Sequence, residues 1–162
     1  MRIAVLSDIH DHLEHLQKVL TQIEQAEAVL CCGDFCAPFT LKALAEGFRA
    51  PVHAVFGNND GDVFLMLMIA QQVGNVRFYK PVANLELGGK RIAVAHYPEV
   101  GEALALSGKF DAVFSGHNHI AHVKTLGATL WGNPGEVMGR FGKATFGLYD
   151  TTGNTFEIHE AM

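Results

Sequence analysis

Ile3-Ala4-Val5-Leu6-Ser7-Asp8-Ile9-His10 is an apolar run that ends in an acid and a histidine two residues apart. Four further apolar runs end in a similar way, with an acid, an amide or a histidine directly after them. These later runs lead into Gly33-Asp34, Gly57-Asn58, His96 and Gly116-His117-Asn118-His119. In an open α/β sheet, strand ends that point the same way converge on one crevice. The repeated arrangement therefore predicts one site that is assembled from five loops.

The first half of the chain alternates between strand-like and helix-like patterns. Strands are predicted over 2–7, 27–32 and 52–56, and helices over about 11–25, 40–48 and 62–72. In the first helix, apolar residues recur at helical spacing at Leu13, Leu16, Leu20 and Ile23. This alternation is typical of parallel strands that are joined by crossover helices.

The second half is dominated by strand patterns. Strands are predicted over 76–79, 83–87, 91–95, 111–115, 121–125, 128–131, 143–149 and 154–159, with one helix over 98–107. The turns Gly88-Gly89 and Thr152-Gly153-Asn154 indicate hairpins. A parallel half joined to an antiparallel half predicts a mixed α/β fold, with two mixed sheets packed face to face and helices outside. The length of 162 residues predicts a single domain over 1–162.

Composition argues against several classes of partner. The net charge of −5 disfavours nonspecific binding to nucleic acids or anionic membranes. The longest apolar run, 63–70, is far shorter than the roughly 20 residues that span a bilayer. No signal-peptide pattern precedes the first strand, and Cys31, Cys32 and Cys36 are interpreted as reduced thiols. We therefore expect a cytoplasmic protein. A zinc site of these thiols is the alternative, disfavoured because adjacent strand residues point to opposite faces.

Seven side chains in the five loops are of types that bind divalent metal ions: Asp8, His10, Asp34, Asn58, His96, His117 and His119. One metal takes at most about six ligands and keeps open positions when it is catalytic. Seven candidates therefore fit two metals better than one, with the Asp34 carboxylate as the bridge. Mixed imidazole and carboxylate ligands favour manganese, our first expectation, or iron, zinc, nickel or cobalt. Two such metals are a known arrangement for phosphate-ester hydrolysis.

The motif series DxH, GD, GNxD, H and GHxH resembles the calcineurin-like metallophosphoesterase superfamily. The small size and Asn133-Pro134-Gly135 resemble its compact bacterial and archaeal phosphodiesterase branch, the YfcE type. The resemblance runs from Asp8 to about Gly135 and implies a four-layer αββα sandwich of two mixed β-sheets flanked by helices. It implies a phosphodiesterase that acts on a small phosphate ester by attack of a metal-bridging hydroxide, with no covalent enzyme intermediate.

The resemblance also implies two ligand sets. Asp8, His10, Asp34 and His119 would hold the first metal, and Asp34, Asn58, His96 and His117 the second. Among these residues, Asp34, Asn58 and His96 would be catalytic through the hydroxide that the metals bind.

One position departs from the pattern of many family members, which carry a histidine directly after the metal-binding asparagine. This chain has Asn59 there, followed by Asp60. Asp60 is the candidate general acid if its pKa is raised. Without a proton donor, esters with good leaving groups are expected to react more readily, since leaving-group protonation typically contributes 10²–10⁴-fold.

Two alternatives to a phosphodiesterase stay open at the level of sequence. The close one is a phosphomonoesterase that acts on a small metabolite or a nucleotide. The other is a non-catalytic metal-binding scaffold for protein interactions, although a scaffold would be free to lose ligands and all seven positions are kept. No basic stripe or aromatic stacking platform indicates a specific nucleic-acid surface.

The remaining features receive structural interpretations. Asp11 is expected to cap the first helix, with His12 and His15 exposed on its polar side. His53 is expected to pack inside a strand, and His122 and His159 to lie at the surface. The helix over 62–72 is apolar around nearly its whole circumference, which predicts either full burial or cover by another subunit. We therefore expect a homo-oligomer.

Overall fold

The computed structural model describes all 162 residues, which form eleven strands and four helices. The strands are β1 (Arg2–Leu6), β2 (Ala28–Cys31), β3 (Val52–Val55), β4 (Val76–Tyr79), β5 (Ala83–Leu87), β6 (Lys90–Val94), β7 (Ala112–Phe114), β8 (His122–Leu126), β9 (Thr129–Asn133), β10 (Thr145–Asp150) and β11 (Thr155–Glu160). The helices are α1 (Leu13–Gln22), α2 (Pro38–Gly47), α3 (Val63–Val73) and α4 (Pro98–Leu106). Each predicted strand and helix is present, with ends that differ by at most three residues. None of the helices has the length and apolarity to cross a membrane.

The strands form two mixed sheets. The first has the order β11-β10-β1-β2-β3-β4, in which β1 to β4 are parallel and β10 runs antiparallel to both of its neighbours, β1 and β11. The second has the order β5-β6-β7-β9-β8, with a parallel centre and an antiparallel strand at each edge. Helices α1 to α3 pack on the first sheet and α4 on the second. The predicted four-layer αββα sandwich is therefore confirmed.

Alternation along the central strands builds two core layers. In β1, Ala4 and Leu6 pack under the helices, whereas Ile3 and Val5 pack between the sheets. Cys31, the last residue of β2, and Cys32, the next residue, continue this alternation and lie in opposite core layers. All three cysteines are unpaired, and the divergence of these two excludes a zinc site that they would share.

The start of α1 differs from the prediction. His12, not Asp11, is the N-cap, and its Nδ1 accepts a hydrogen bond from the backbone N–H of His15 at 3.2 Å. Asp11 reaches the start of α2, where its Oδ1 accepts from the N–H of Ala37 at 2.8 Å and from the hydroxyl of Thr40 at 2.5 Å. Asp11 therefore ties the loop after β1 to the helix after β2.

Several histidines outside the loops are less exposed than predicted. His15 is half-buried, with its Nδ1 3.1 Å and 3.0 Å from the carbonyl oxygens of Val137 and Met138, and the ring of His12 stacks on it. His122 and His159 are also half-buried, because each ring packs on an aromatic neighbour. The half-buried His53 packs as expected, with its Nδ1 2.9 Å from the Tyr79 hydroxyl.

Helix α3 is not buried as a whole. Only Met66 and Ala70 are buried, while five apolar residues of its first two turns are 39–75% exposed: Val63, Phe64, Leu65, Leu67 and Met68. The expectation of full burial is therefore wrong, since one stripe of the helix suffices to pack on the sheet. Cover by another subunit stays a prediction.

Candidate metal centre

The carboxyl ends of β1, β2, β3, β6 and β7 lie at the same end of the sandwich, and the five predicted loops meet there. The loop after β1 is fixed to the loop after β2, because the N–H groups of Ile9 and His10 both donate to the carbonyl of Asp34, at 2.9 and 3.1 Å. Gly33 has φ +100°, and a Cβ there would lie 2.6 Å from the nitrogen of Gly57 and 2.9 Å from Nδ1 of His96. Only glycine lets these loops approach so closely.

Five of the seven candidate ligands take a backbone conformation that side chains disfavour. Positive φ angles occur at Asp8 (53°), His10 (45°), Asp34 (59°), His117 (69°) and His119 (61°). Each such residue costs of the order of 1–3 kcal/mol, and such strain is concentrated at functional sites. The surrounding hydrogen bonds therefore hold these side chains in place against a local preference.

Asp8, His10 and His119 form the first cluster, whose ligand atoms lie within 4.8 Å of one another. Nε2 of His10 lies 3.6 Å and Nε2 of His119 3.4 Å from Oδ1 of Asp8. The other oxygen of Asp8 accepts from the hydroxyl of Ser7 at 2.5 Å and from the N–H of His117 at 2.9 Å. One oxygen of the carboxylate therefore accepts two hydrogen bonds, and the other points into the cluster.

Asp34, His96 and His117 form the second cluster, within the same 4.8 Å limit. Asn58 joins it, since its Oδ1 lies 2.9 Å from Nε2 of His96. The structure therefore brings together all seven residues that the sequence singled out.

The Asp34 carboxylate lies between the two clusters. Its Oδ2 is 3.5 Å from Nε2 of His10 in the first and 3.6 Å from Nε2 of His96 in the second. Asn59 orients it, because its backbone N–H donates to Oδ1 and its side-chain amide to Oδ2, both at 2.9 Å. The residue directly after Asn58 therefore provides an amide that fixes the central carboxylate.

Two imidazoles are fixed in the tautomer that a metal ligand requires. Nδ1 of His96 lies 2.7 Å from the carbonyl oxygen of Cys32, and Nδ1 of His119 lies 2.8 Å from Oε2 of Glu136. Both partners accept hydrogen bonds, so Nδ1 carries the proton and the Nε2 lone pair faces the site. Nδ1 of His10 contacts the sulfur of Cys36 at 3.1 Å.

Glu136 is the residue of this site that the sequence reasoning missed. It is buried, and its Oε1 accepts from the N–H groups of Phe141 and Gly142 at 2.6 and 2.9 Å while Oε2 binds His119. Its only sequence signal is its position directly after Asn133-Pro134-Gly135. Asn133 itself lies behind the 116–119 loop, and its amide donates to the carbonyl of Gly116 at 3.1 Å.

The acids of the site differ in their pKa values. Burial raises the pKa of Asp8, but the attraction of the His10 imidazole, 3.6 Å away, and the hydrogen bond from Ser7 outweigh it, so the net pKa is lowered. The neighbouring Asp8 carboxylate raises the pKa of His10. For Glu136, burial is again outweighed, here by its bonds to His119 and to backbone N–H groups, and the pKa is lowered.

Asp60 is held by the backbone. Its two oxygens accept from the N–H groups of Asp34 at 3.2 Å, Cys36 at 3.0 Å and Gly57 at 2.7 Å. Burial raises its pKa, and although these hydrogen bonds oppose the rise, the net pKa is raised, as a general acid would require. Because its lone pairs are directed at the loops, the arrangement favours a role in holding the β2 and β3 loops together over proton donation.

The donor set fits divalent metal ions. Oδ1 of Asp8 and Nε2 of His10 are buried and have no hydrogen-bond partner. The Nε2 lone pair of His96 faces the amide oxygen of Asn58, so two acceptors point at each other at 2.9 Å. Buried polar groups without partners are costly, and a shared cation would satisfy all of these atoms.

The chain was compared with known proteins. The sequence model of the calcineurin-like phosphoesterase superfamily domain matches residues 1–154. The phosphodiesterase MJ0936 of Methanocaldococcus jannaschii is 31% identical over 156 residues, which cover 93% of each chain. A solved archaeal phosphodiesterase superposes with a TM-score of 0.91, at 28% identity and 99% coverage of both chains.

More distant structures share the fold alone. The phosphoesterase Yfce from E. coli gives a TM-score of 0.69 at 20% identity, with full coverage of both chains. Vps29 from Entamoeba histolytica, solved with Zn²⁺, gives 0.70 at 21% identity, covering 99% of this chain and 91% of its own. Since the family match extends over nearly the whole chain, including all five loops, the protein belongs to the calcineurin-like phosphoesterase superfamily.

Proposed function

We propose that the protein is a two-metal phosphodiesterase. In this proposal Asp8, His10, Asp34 and His119 hold the first divalent ion, and Asp34, Asn58, His96 and His117 hold the second. The observation that carries it is the position of the Asp34 carboxylate, whose Oδ2 lies 3.5–3.6 Å from one imidazole of each cluster. Membership of the superfamily and the 31% identity to a phosphodiesterase support the reaction class.

Two ions bound here would neutralise the phosphate oxygens and lower the pKa of water toward neutrality, which is the chemistry that such sites supply. Other groups of the protein hold the candidate metal ligands in fixed orientations. Asn59 and the backbone fix the bridging carboxylate, and Cys32 and Glu136 fix the tautomers of two imidazoles. Because these groups are oriented before substrate arrives, little reorganisation is needed during the reaction.

The site offers no well-placed group to protonate the leaving alcohol. Asn59 has no titratable proton, and the carboxylate of Asp60 accepts three backbone hydrogen bonds. We propose that the leaving alcohol departs without a protein proton donor, which favours esters of acidic alcohols.

Three further properties are proposed with the function. Imidazole and carboxylate ligands support manganese as the metal, which metal analysis of the purified protein tests. Three unpaired cysteines support a reducing, cytoplasmic location, which cell fractionation tests. The exposed apolar residues of α3 support a homo-oligomer, which the molar mass from light scattering tests.

Replacement of the central carboxylate tests the proposal. Asp34→Asn keeps the shape but removes the charge shared by both clusters, so hydrolysis of bis(4-nitrophenyl) phosphate should fall by at least about 10²-fold. Asp150→Asn, the same change at an exposed residue of β10, is the matched control and should keep wild-type turnover. Bound metal is counted in each sample by elemental analysis.

The same samples discriminate between the alternatives. Wild-type turnover by a fully loaded Asp34→Asn variant would contradict the mechanism. Faster hydrolysis of 4-nitrophenyl phosphate than of the diester would favour a phosphomonoesterase. Fewer than one metal per wild-type chain after reconstitution would favour a scaffold.

A further inference from the structure

A cavity of about 670 Å³ opens beside the second cluster and is not used by any step described above. It lies between α3, the end of β4, the loop over 80–82 and the start of α4. His96 and Gly57 line both the cavity and the metal centre. A group attached to a phosphate at the centre can therefore enter the cavity without leaving the site.

The walls of the cavity are apolar and rich in aromatic rings. Phe56 and Phe78 stack in parallel with centroids 4.1 Å apart, and Tyr97 stands edge-on to His96 at 5.0 Å. Leu67 closes the cavity from α3 and Val100 from α4. Aromatic rings in such walls favour another ring, in stacked or edge-to-face contact.

The polar groups of the cavity are few. No carboxylate lines it, and Lys80 carries its one ammonium group. The hydroxyl of Tyr79 is already paired with Nδ1 of His53 at 2.9 Å. A nucleobase would need several oriented donors and acceptors along its edge, and these walls offer few. An uncharged ring without polar edges matches them better.

Resting on the proposed function, we propose that this cavity binds one ester group of the phosphodiester and that this group is an apolar aromatic ring. The volume of the cavity lies within the range of roughly 300–1,000 Å³ that is typical of small-ligand pockets. The preference also agrees with the absence of a protein proton donor, since aromatic alcohols are more acidic than alkyl alcohols. Leu67 and Val100, on opposite walls, are the residues that determine this specificity.

Binding of two phosphonates to the manganese-loaded protein tests the proposal by calorimetry. Phenylphosphonate and methylphosphonate share the anionic head and differ in the ring, so the wild type should bind the phenyl compound on the order of tenfold more tightly or better. Leu67→Glu places a carboxylate in the cavity and should abolish this ratio. Leu106→Glu adds the same charge at an exposed apolar residue of α4 that lies outside the cavity, and it should retain the ratio. Val100→Glu provides a second variant from the opposite wall.

Each result decides the proposal. Equal affinities in the wild type, or an unchanged ratio in both Leu67→Glu and Val100→Glu, would overturn it. So would adenosine monophosphate binding more tightly than phenylphosphonate to the wild type. Hydrolysis of bis(4-nitrophenyl) phosphate is measured separately, so that an inactive protein that still prefers the phenyl compound refutes the proposed function and not the ring-binding cavity.

Discussion

At the scale of single residues, Glu136 orients the candidate metal ligand His119 and is not itself a candidate ligand. Its carboxylate fixes the proton of His119 on Nδ1 and is held by two backbone N–H groups. Such partners of a metal-binding histidine contribute roughly 10–100-fold to metal affinity. Glu136→Gln should therefore weaken manganese binding by that factor in a calorimetric titration. Glu157→Gln, on the exposed face of β11, is the control, and equal affinities of the two variants would contradict the assignment.

Asn59 leads to a prediction about substrates. Because its amide is hydrogen-bonded to Asp34 and carries no acidic proton, the leaving group receives no help from this position. For a series of aryl methyl phosphodiesters, log kcat/KM should fall steeply as the pKa of the leaving phenol rises. A flat series in which chemistry limits the rate would mean that a proton donor exists in the site.

The clustering of the seven candidate ligands could be predicted from the sequence because each follows a strand, and strands that run in the same direction bring the residues after them together at one end of the sheets. Glu136 and the role of Asp60 could not be predicted in this way. Glu136 reaches His119 only because β9 lies beside β7, and Asp60 acts on backbone groups of another loop. Such contacts depend on which strands become neighbours, a property that no local spacing encodes.

At the scale of elements, hydrogen bonds between neighbouring loops keep the site rigid. Asp11 lies in the loop after β1 and bonds to the first turn of α2 through Ala37 and Thr40. Asp11→Ala should lower the free energy of unfolding by about 1 kcal/mol in urea denaturation, the typical value for a lost cap or hydrogen bond.

A double-mutant cycle provides the control for this prediction. Thr40→Val removes the partner hydroxyl, so its effect and that of Asp11→Ala should not add, with a coupling of at least about 0.5 kcal/mol. Full additivity would contradict the bond between Asp11 and Thr40. The position of Asp11 in the sequence instead predicts a cap of α1. The sequence led to that expectation because an aspartate before a helical pattern is the usual cap, whereas here His12 occupies the cap position.

At the scale of the whole molecule, the order of the helix and sheet layers could be predicted from the sequence, whereas the burial of helix α3 could not. Two features determine the four-layer sandwich. Alternate side chains of β1 enter different core layers, and the crossover helices of the first half of the chain give way to hairpins in the second half. For α3, an apolar circumference predicts either full burial or cover by another subunit, and because only Met66 and Ala70 are buried, full burial is wrong. Hydropathy records what a residue prefers, whereas burial depends on how many neighbours the fold supplies. Part of the exposed face of α3 lines the cavity of about 670 Å³ instead of packing on a neighbouring element.

The contribution of His10 to the stability of the molecule should respond to pH in opposite directions with and without metal. In the metal-free protein, Asp8 raises the pKa of His10 above 6.5, so the protonated imidazole stabilises the folded state fully below pH 6.5. This contribution is lost as pH rises through the folded-state pKa. The pKa of Asp8 is lowered below 3.8, so its contribution is present above pH 3.8 and is lost as pH falls through its folded-state value.

We therefore expect the free-energy difference between wild type and His10→Asn, measured by urea unfolding with a chelator present, to shrink from pH 6.5 upward. The comparison with a variant cancels the titration of the other histidines. With saturating manganese the sign reverses, because the ligand form of His10 is the deprotonated one and higher pH favours binding. A difference that grows with pH in the metal-free protein would show that His10 is neutral there and that Asp8 does not hold its proton.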